Sequence, residues 1–182
     1  MTTDLSSFSN KEYNPGPLIK RLVWYIVNRI FFSSSILYPS SLKAWILRLF
    51  GATIGKHVVI KPKVNIKYPW FLSIGQYSWI GENVWIDNLV NVSIGSHTCI
   101  SQGAMLLTGN HNFKKESFDL ITGEIVLEDG VWIGAKSVVC PGVTCFSHAV
   151  LAVGSVATKD LQAYTIYQGN PALPIRKRAI SK

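Results

Sequence analysis

A six-residue beat governs most of this chain and leaves few folds open to it. A branched aliphatic recurs at Ile54, Ile60 and Ile66, then at Ile74, Ile80 and Ile86, then at Ile94, Ile100 and Leu106. It returns at Leu127, Ile133, Val139 and Leu151, with Cys145 taking the same place in between, and glycine often follows it, as at Gly55, Gly75, Gly81, Gly95 and Gly134. The fifth place of the unit is small or branched, as in Val58, Ser78, Thr98, Ala104, Ser137 and Ala149. Periodicity of this kind marks stacked architectures, because a single unit cannot bury its apolar side alone. Each hexapeptide supplies one short strand and one corner, and three make a coil. The first-place aliphatic points inward onto its equivalent about 4.8 Å along the axis. Glycine and small residues are expected to permit the tight corners, where a bulky side chain would clash or strain φ. A β-sandwich needs more residues per strand and turn than this spacing gives. The fold class is therefore mainly β: a parallel β-helix over 51–165, with an arm and helices over 1–50 and a basic tail over 166–182.

The beat fails once at length. After Leu106 comes a polar excursion over about 109–124, and His111 stands at its mouth beside Gly109 and Asn110. The other histidines, His57, His97 and His148, all hold the fourth place of a unit, an outward corner where a solvated side chain needs no further reason. Only His111 is out of register. Imidazole titrates near neutrality, so a histidine set off the scaffold is suited to general-base work.

Two helices are expected before the repeat. Leu18–Phe32 has a narrow basic and polar stripe (Lys20, Arg21, Asn28, Arg29) and a broad apolar face of Leu22, Val23, Trp24, Ile26, Val27, Ile30 and Phe31. That face can pack on the main body or a neighbouring subunit, or lie on a membrane surface. The second helix starts at Ser40 as cap, presents Leu42, Trp45, Ile46 and Leu49, and ends at Gly51.

The net charge of +8 resides at the two ends of the chain, with Arg176, Lys177, Arg178 and Lys182 in the tail, while the middle is balanced. This distribution makes no continuous nucleic-acid stripe and suits a small anionic ligand or an anionic membrane surface. Cys99, Cys140 and Cys145 form no paired motif and read as buried residues of a reducing, cytoplasmic protein. The polar start MTTDLSSFSN does not read as a secretory signal.

The stretches ILRLFGATIGKHVVIKP, YPWFLSIG, WIGENVWIDNL, CISQGAMLLTGNHN, VWIGAKSVVCPGVT and GSVATKDL resemble the hexapeptide-repeat acyltransferases over nearly the whole chain. The resemblance is nearest to the colanic acid biosynthesis acetyltransferase group, which is similar to the galactoside and maltose O-acetyltransferases. It implies a left-handed β-helix, a homotrimer with active sites between subunits, acetyl-CoA as donor and a sugar hydroxyl as acceptor. It also implies His111 as general base and an acceptor contact at Asn88, or at Asp87 because the loop there is shorter. Many relatives carry an acid where this chain has Asn112, which leaves Asn112 to orient the imidazole rather than strengthen it. For the coenzyme, the matching positions are Ala135, Val153, Thr158, Lys159 and Arg176. A second arginine of the sugar enzymes maps to Leu173, so Lys177 or Arg178 would have to replace it. No metal is expected. Alternatives kept open are N-acetylation of an amino sugar, a zinc carbonic-anhydrase-like β-helix using His97, His111 and His148, and a β-helix without catalysis.

Overall fold

The computed structural model describes residues 2–181, so Met1 and Lys182, the outermost residues of the expected arm and tail, lie outside the described residues. The repeat folds as expected into a three-faced β-solenoid of about six turns. The first face stacks strands Thr53–Ile54, Leu72–Ile74, Val92–Ile94, Ile125–Leu127 and Thr144–Cys145. The second stacks Val59–Ile60, Trp79–Ile80, Cys99–Ile100, Trp132–Ile133, Val150–Leu151 and Thr165–Gly169, with Ala172–Lys177 added antiparallel. The third stacks Asn65–Ile66, Trp85–Asp87, Met105–Leu107, Val138–Val139 and Val156–Ala157. Apart from that terminal hairpin, neighbours within a face run parallel and keep the sequence register, for example Ile54 beside Ile74 and Ile74 beside Ile94. The first-place aliphatics are buried in one continuous core. Residues 166–177, expected as part of a basic tail, instead belong to the end of the second face.

The fifth-place residues are buried too, and the hydroxyl-bearing ones among them stitch coils together. Ser78 Oγ donates to the Gly95 carbonyl at 2.7 Å and accepts from Thr98 N–H at 3.1 Å. Ser137 repeats the pattern on Ala152 and Ser155. Such pairing is what allows a polar group into the core.

Of the two reasons expected for the corner glycines, clash and strained φ, the first operates after the inward aliphatics. The left-handed backbone falls on the fourth place, where His57, Lys63, Tyr77, Asn83, His97, Lys136 and His148 all have φ between 55° and 59°. The glycines after the inward aliphatics have no such φ. They sit where the next coil passes too close for a side chain: a Cβ on Gly134 would lie 2.6 Å from Val153 N and 2.7 Å from Leu151 O. Close approach, not backbone freedom, selects them.

The helices form where expected, α1 at Leu18–Val27 with a π-helical last turn Asn28–Phe32, and α2 at Ser40–Leu49. They close the open end of the first coil with side chains. Arg48 donates to the Ile54 and Gly55 carbonyls on the first face. On the second face Ser40 Oγ accepts from Ile60 N–H at 3.0 Å, and Lys43 Nζ donates to the Lys61 carbonyl at 2.9 Å. On the third, Trp24 Nε1 donates to the Ile66 carbonyl at 2.9 Å while Asn28 pairs with Asn65. This demand reorders both helices. The buried side of α2 is Lys43, Ala44, Ile46 and Leu47, whereas Trp45 and Leu49, expected inside, are exposed. In the first helix Trp24, Val27 and Phe31 pack on the body, while Leu22, Val23, Ile26 and Ile30 face outward. Among the described residues no helix is long and apolar enough to cross a membrane.

Candidate active site

The coils carry their extra residues at one place. Ser78 and Thr98, in early coils, are 20 residues apart, whereas Ser137 and Ser155 later are 18 apart. The insertions around Tyr68, Asn88 and His111 all fall where the third face turns back into the first. Stacked along that edge, they build a wall. The expected excursion is a two-stranded antiparallel hairpin, Gly109–His111 with Leu120–Thr122, in which His111 lies opposite Leu120.

The His111 ring is held from two sides. It stacks on Phe118 with centroids 4.5 Å apart and planes 8° from parallel, and Phe8 of the N-terminal arm tilts against it at 5.9 Å. Its Nδ1 lies 2.9 Å from the Phe118 carbonyl oxygen. A carbonyl can only accept, so this bond places the proton on Nδ1 and leaves Nε2 with its lone pair. The hairpin's own backbone thus supplies the orientation that a neighbouring acid would give.

A cavity of about 420 Å³ opens in front of His111, lined by the arm (Phe8, Asn10, Tyr13, Pro15), Arg21, Lys67, Tyr68, Asp87 and the hairpin. Asp87, at the end of Trp85–Asp87, lies 3.1 Å from Lys67 Nζ. The Tyr13 hydroxyl donates to the Leu89 carbonyl at 2.9 Å, which ties the arm to the scaffold. Burial pushes the Tyr13 phenol upward, and Tyr68 and Asp87 add to the shift, so it stays a neutral donor.

His111 and Asp87 are therefore brought to one cavity. Asn88 is not among its lining residues. It is 0% exposed, and its amide accepts from Tyr68 N–H and donates to the Tyr68 carbonyl, holding two coils together at the edge. Its side chain is given to the fold: it pairs the Tyr68 N–H and shares the Tyr68 carbonyl with Phe71 N–H. Asn112 also turns elsewhere: its Oδ1 accepts from Lys114 N–H at 3.2 Å in the hairpin loop. The sequence reading missed Phe8, Tyr13, Arg21, Lys67 and Tyr68. The signal for Lys67 and Tyr68 was present, since they sit at the first insertion and align with the other two.

The coenzyme positions are spread over the solenoid. Ala135 and Val153 share the edge between the second and third faces, where Gly154 N–H bonds to the Ala135 carbonyl, and Val153 is 70% exposed. Thr158 and Lys159 follow Val156–Ala157 on the opposite edge of the third face, the same edge as His111, and both are exposed. Arg176 lies on the terminal hairpin beside a shallow cavity of about 360 Å³. Of its basic neighbours, Arg178 donates to the Gly130 and His148 carbonyls and Lys177 to Thr165 Oγ1, so Arg178 is given to packing. A single chain brings Ala135, Val153, Thr158 and Lys159 onto the two borders of the third face and leaves Arg176 on the second, rather than gathering them into one pocket.

The remaining histidines lie on the edge between the first and second faces. His57, Tyr77 and His97 form a stack with centroid spacings of 4.9 and 5.2 Å. His57 and His97 are exposed as expected, but His148 is half-buried over Gly130, and its Nδ1 is shielded without a partner. The three histidines of a carbonic-anhydrase-like site are not brought together. The cysteines are free, with Cys99 and Cys140 half-buried and Cys145 buried.

No protein-family model matches the chain. Individual proteins do. An Escherichia coli (strain K12) protein bearing the name colanic acid biosynthesis acetyltransferase WcaF is 40% identical over 176 residues, spanning 96% of this chain and 97% of that one. The galactoside O-acetyltransferase of the same organism is 30% identical over 129 residues, 69% of this chain and 64% of that one. Among solved structures, the hexapeptide-repeat acetyltransferase VCA0836 of Vibrio cholerae, complexed with acetyl coenzyme A, superposes with a TM-score of 0.79 at 22% identity, over 89% and 88% of the two chains. The repeat fold together with 40% identity over nearly the whole chain shows the class of protein, a hexapeptide-repeat acetyltransferase. The chain belongs to that family, in the group that contains the colanic acid biosynthesis acetyltransferase.

Proposed function

We propose that this protein transfers an acetyl group from acetyl-CoA to a sugar hydroxyl in the assembly of a cell-surface polysaccharide, with His111 as general base. The observation that carries the reading is the His111 ring, fixed by Phe118 so that Nε2 keeps its lone pair at the mouth of a polar cavity. Nε2 takes the proton of the sugar hydroxyl as its oxygen attacks the acetyl carbon, and the same proton then leaves with the departing thiolate. The donor supplies an activated thioester. Asp87 and Lys67 offer an acceptor and a donor to the remaining hydroxyls. Ala135 and Val153 on one border of the third face, with Thr158 and Lys159 on the other, suit a coenzyme lying along that face. The cations Lys159 and Arg176 meet its phosphates.

The incompleteness of that groove on one chain supports a homotrimer, in which a neighbouring prism closes it. The exposed Trp79 and Trp132 on the second face provide contact area for such packing. The outward stripe of α1, with Ile19 76% exposed, supports peripheral contact with the cytoplasmic face of a membrane. The central test is thiol release from acetyl-CoA against a panel of free, nucleotide-linked and lipid-linked sugars. Release with one sugar class supports the reading, and silence across the whole panel overturns it. Light scattering at three times the 20.2 kDa of one chain supports the trimer, and a monomer overturns it. Loss of sedimentation with anionic vesicles in Ile19→Glu and Ile26→Glu supports the membrane contact, and unchanged sedimentation refutes it.

A further inference from the structure

A second cavity of about 450 Å³ lies beneath α1 and shares Arg21, Lys67, Tyr68 and Asp87 with the His111 cavity. Its own lining adds Arg29, Asn28 and Asn65, the aromatic rings of Tyr25 and Trp85, and Leu18 and Leu22 at the exposed face of the helix. The charged groups lining it are Arg21, Arg29, Lys67 and Asp87. Lys67 and Asp87 neutralise each other at 3.1 Å. Among the described residues, neither Arg21 nor Arg29 has a carboxylate within 4.0 Å, and Arg21 Nε is buried with no hydrogen-bond partner.

The other N-terminal cations near the first coil are already engaged. Lys43 and Arg48 hold backbone carbonyls, and Lys20 lies over the Trp70 ring at 4.5 Å. Arg29 rests over the Tyr25 ring at 5.5 Å, a contact that uses its face and not its N–H groups, and Arg21 is the cation with a buried, unpaired N–H. A guanidinium with a buried, unpaired N–H costs free energy unless a ligand satisfies it. Paired arginines facing one space are suited to bidentate grip on phosphate oxygens.

We infer that the second cavity is an anion subsite for the acceptor, which is a sugar esterified to phosphate or diphosphate: the sugar lies before His111 and the phosphate between Arg21 and Arg29. This rests on the acetyltransferase reading and narrows its substrate class. The group beyond the phosphate is a prenyl chain or a nucleoside. The apolar rim of Leu18 and Leu22, continuous with exposed Ile19 and Ile26, accommodates the first, while Tyr25 and Trp85 offer stacking to the second.

The test measures binding of farnesyl diphosphate, UDP and uncharged farnesol by calorimetry, with coenzyme A saturating so that its own phosphate site is blocked. The proposal expects at least one anion to bind well above farnesol. Arg21→Gln or Arg29→Gln should weaken it about 10-fold or more, the scale of a lost charged hydrogen bond. Arg21→Lys should recover part of the loss, and coenzyme A affinity, measured in parallel, certifies that each variant is folded. Preference for farnesyl diphosphate assigns a lipid-linked acceptor, and preference for UDP a nucleotide sugar. Absence of anion binding under coenzyme A, or affinities unmoved by both substitutions, overturns the subsite. That result differs from failure of the acetyltransferase reading, which is read separately as no coenzyme A binding and no thiol release with any acceptor.

Discussion

The edge carrying His57, His97 and His148 and the edge carrying His111 are made by the same chain turning the same corner, yet only one becomes a site. On the first, each coil spends the fewest residues the turn allows. Side chains there adopt a left-handed φ and stack on their equivalents, as His57, Tyr77 and His97 do. On the second, three successive coils spend extra residues at the same place, and the surplus chain folds over itself. A histidine on the tight edge meets other corner side chains. A histidine on the loose edge meets a cavity, an arm and a carbonyl that sets its tautomer. Residue type alone therefore says little; the local surplus of backbone decides.

The largest expected contrast is catalytic. His111→Ala should lower kcat by about 10²-fold or more, the scale of a lost general base, while His57→Ala and His97→Ala should leave it within twofold. Thiol release checks all three, and an equal loss in a tight-edge variant would break the comparison. The same tight turn recurs between the second and third faces and is tested there by Gly134→Ala, whose added Cβ meets backbone of the next coil. About 3 kcal/mol of stability should be lost, read by urea unfolding. At the same corner Lys136→Gly should stabilise by up to about 1 kcal/mol, because Lys136 holds φ at 57°. Asp87→Asn sharpens the loose edge. It should cost roughly 10-fold in kcat/KM for the acceptor with little change for the donor, since the ion pair with Lys67 is lost at one wall of the cavity. The smallest effect concerns Cys145, whose thiol burial pushes up from 9.0 to about 12. Its contribution to stability is present in full below pH 9 and is lost as pH rises toward 12. Cys145→Ala should flatten that part of the stability profile and change nothing in the pH profile of activity near neutrality.

Much of this was legible in the sequence, and the limits were physical. The inward aliphatics, the stacked faces and the lone out-of-register histidine follow from a period that interior packing enforces at every coil. What was not legible depends on chain segments far apart in sequence. Phe8 and Tyr13 reach the cavity because the arm folds back along the loose edge, tied through Leu89. Asn88 was read toward substrate, but buried backbone at Tyr68 claims it first. Trp45 and Leu49 were read as inward because helical periodicity counts apolar residues. It cannot see that unpaired carbonyls of the first coil require Lys43 on that side. The glycine positions follow from the period, and of the two causes expected for them it is the clash with the next coil that operates, a distinction that spacing in the sequence does not carry.

The closure of the first coil by helix side chains has a consequence for the protein's solution behaviour. A stack of identical coils has no natural length: each layer offers the next the same row of amides and carbonyls, and a second molecule could continue the series end to end. Trp24, Asn28, Ser40, Lys43 and Arg48 occupy that row with groups that cannot be extended by another strand. The N-terminal helices thus act as a terminator against filament growth. A chain deprived of them would be expected to grow into fibres rather than merely to lose stability.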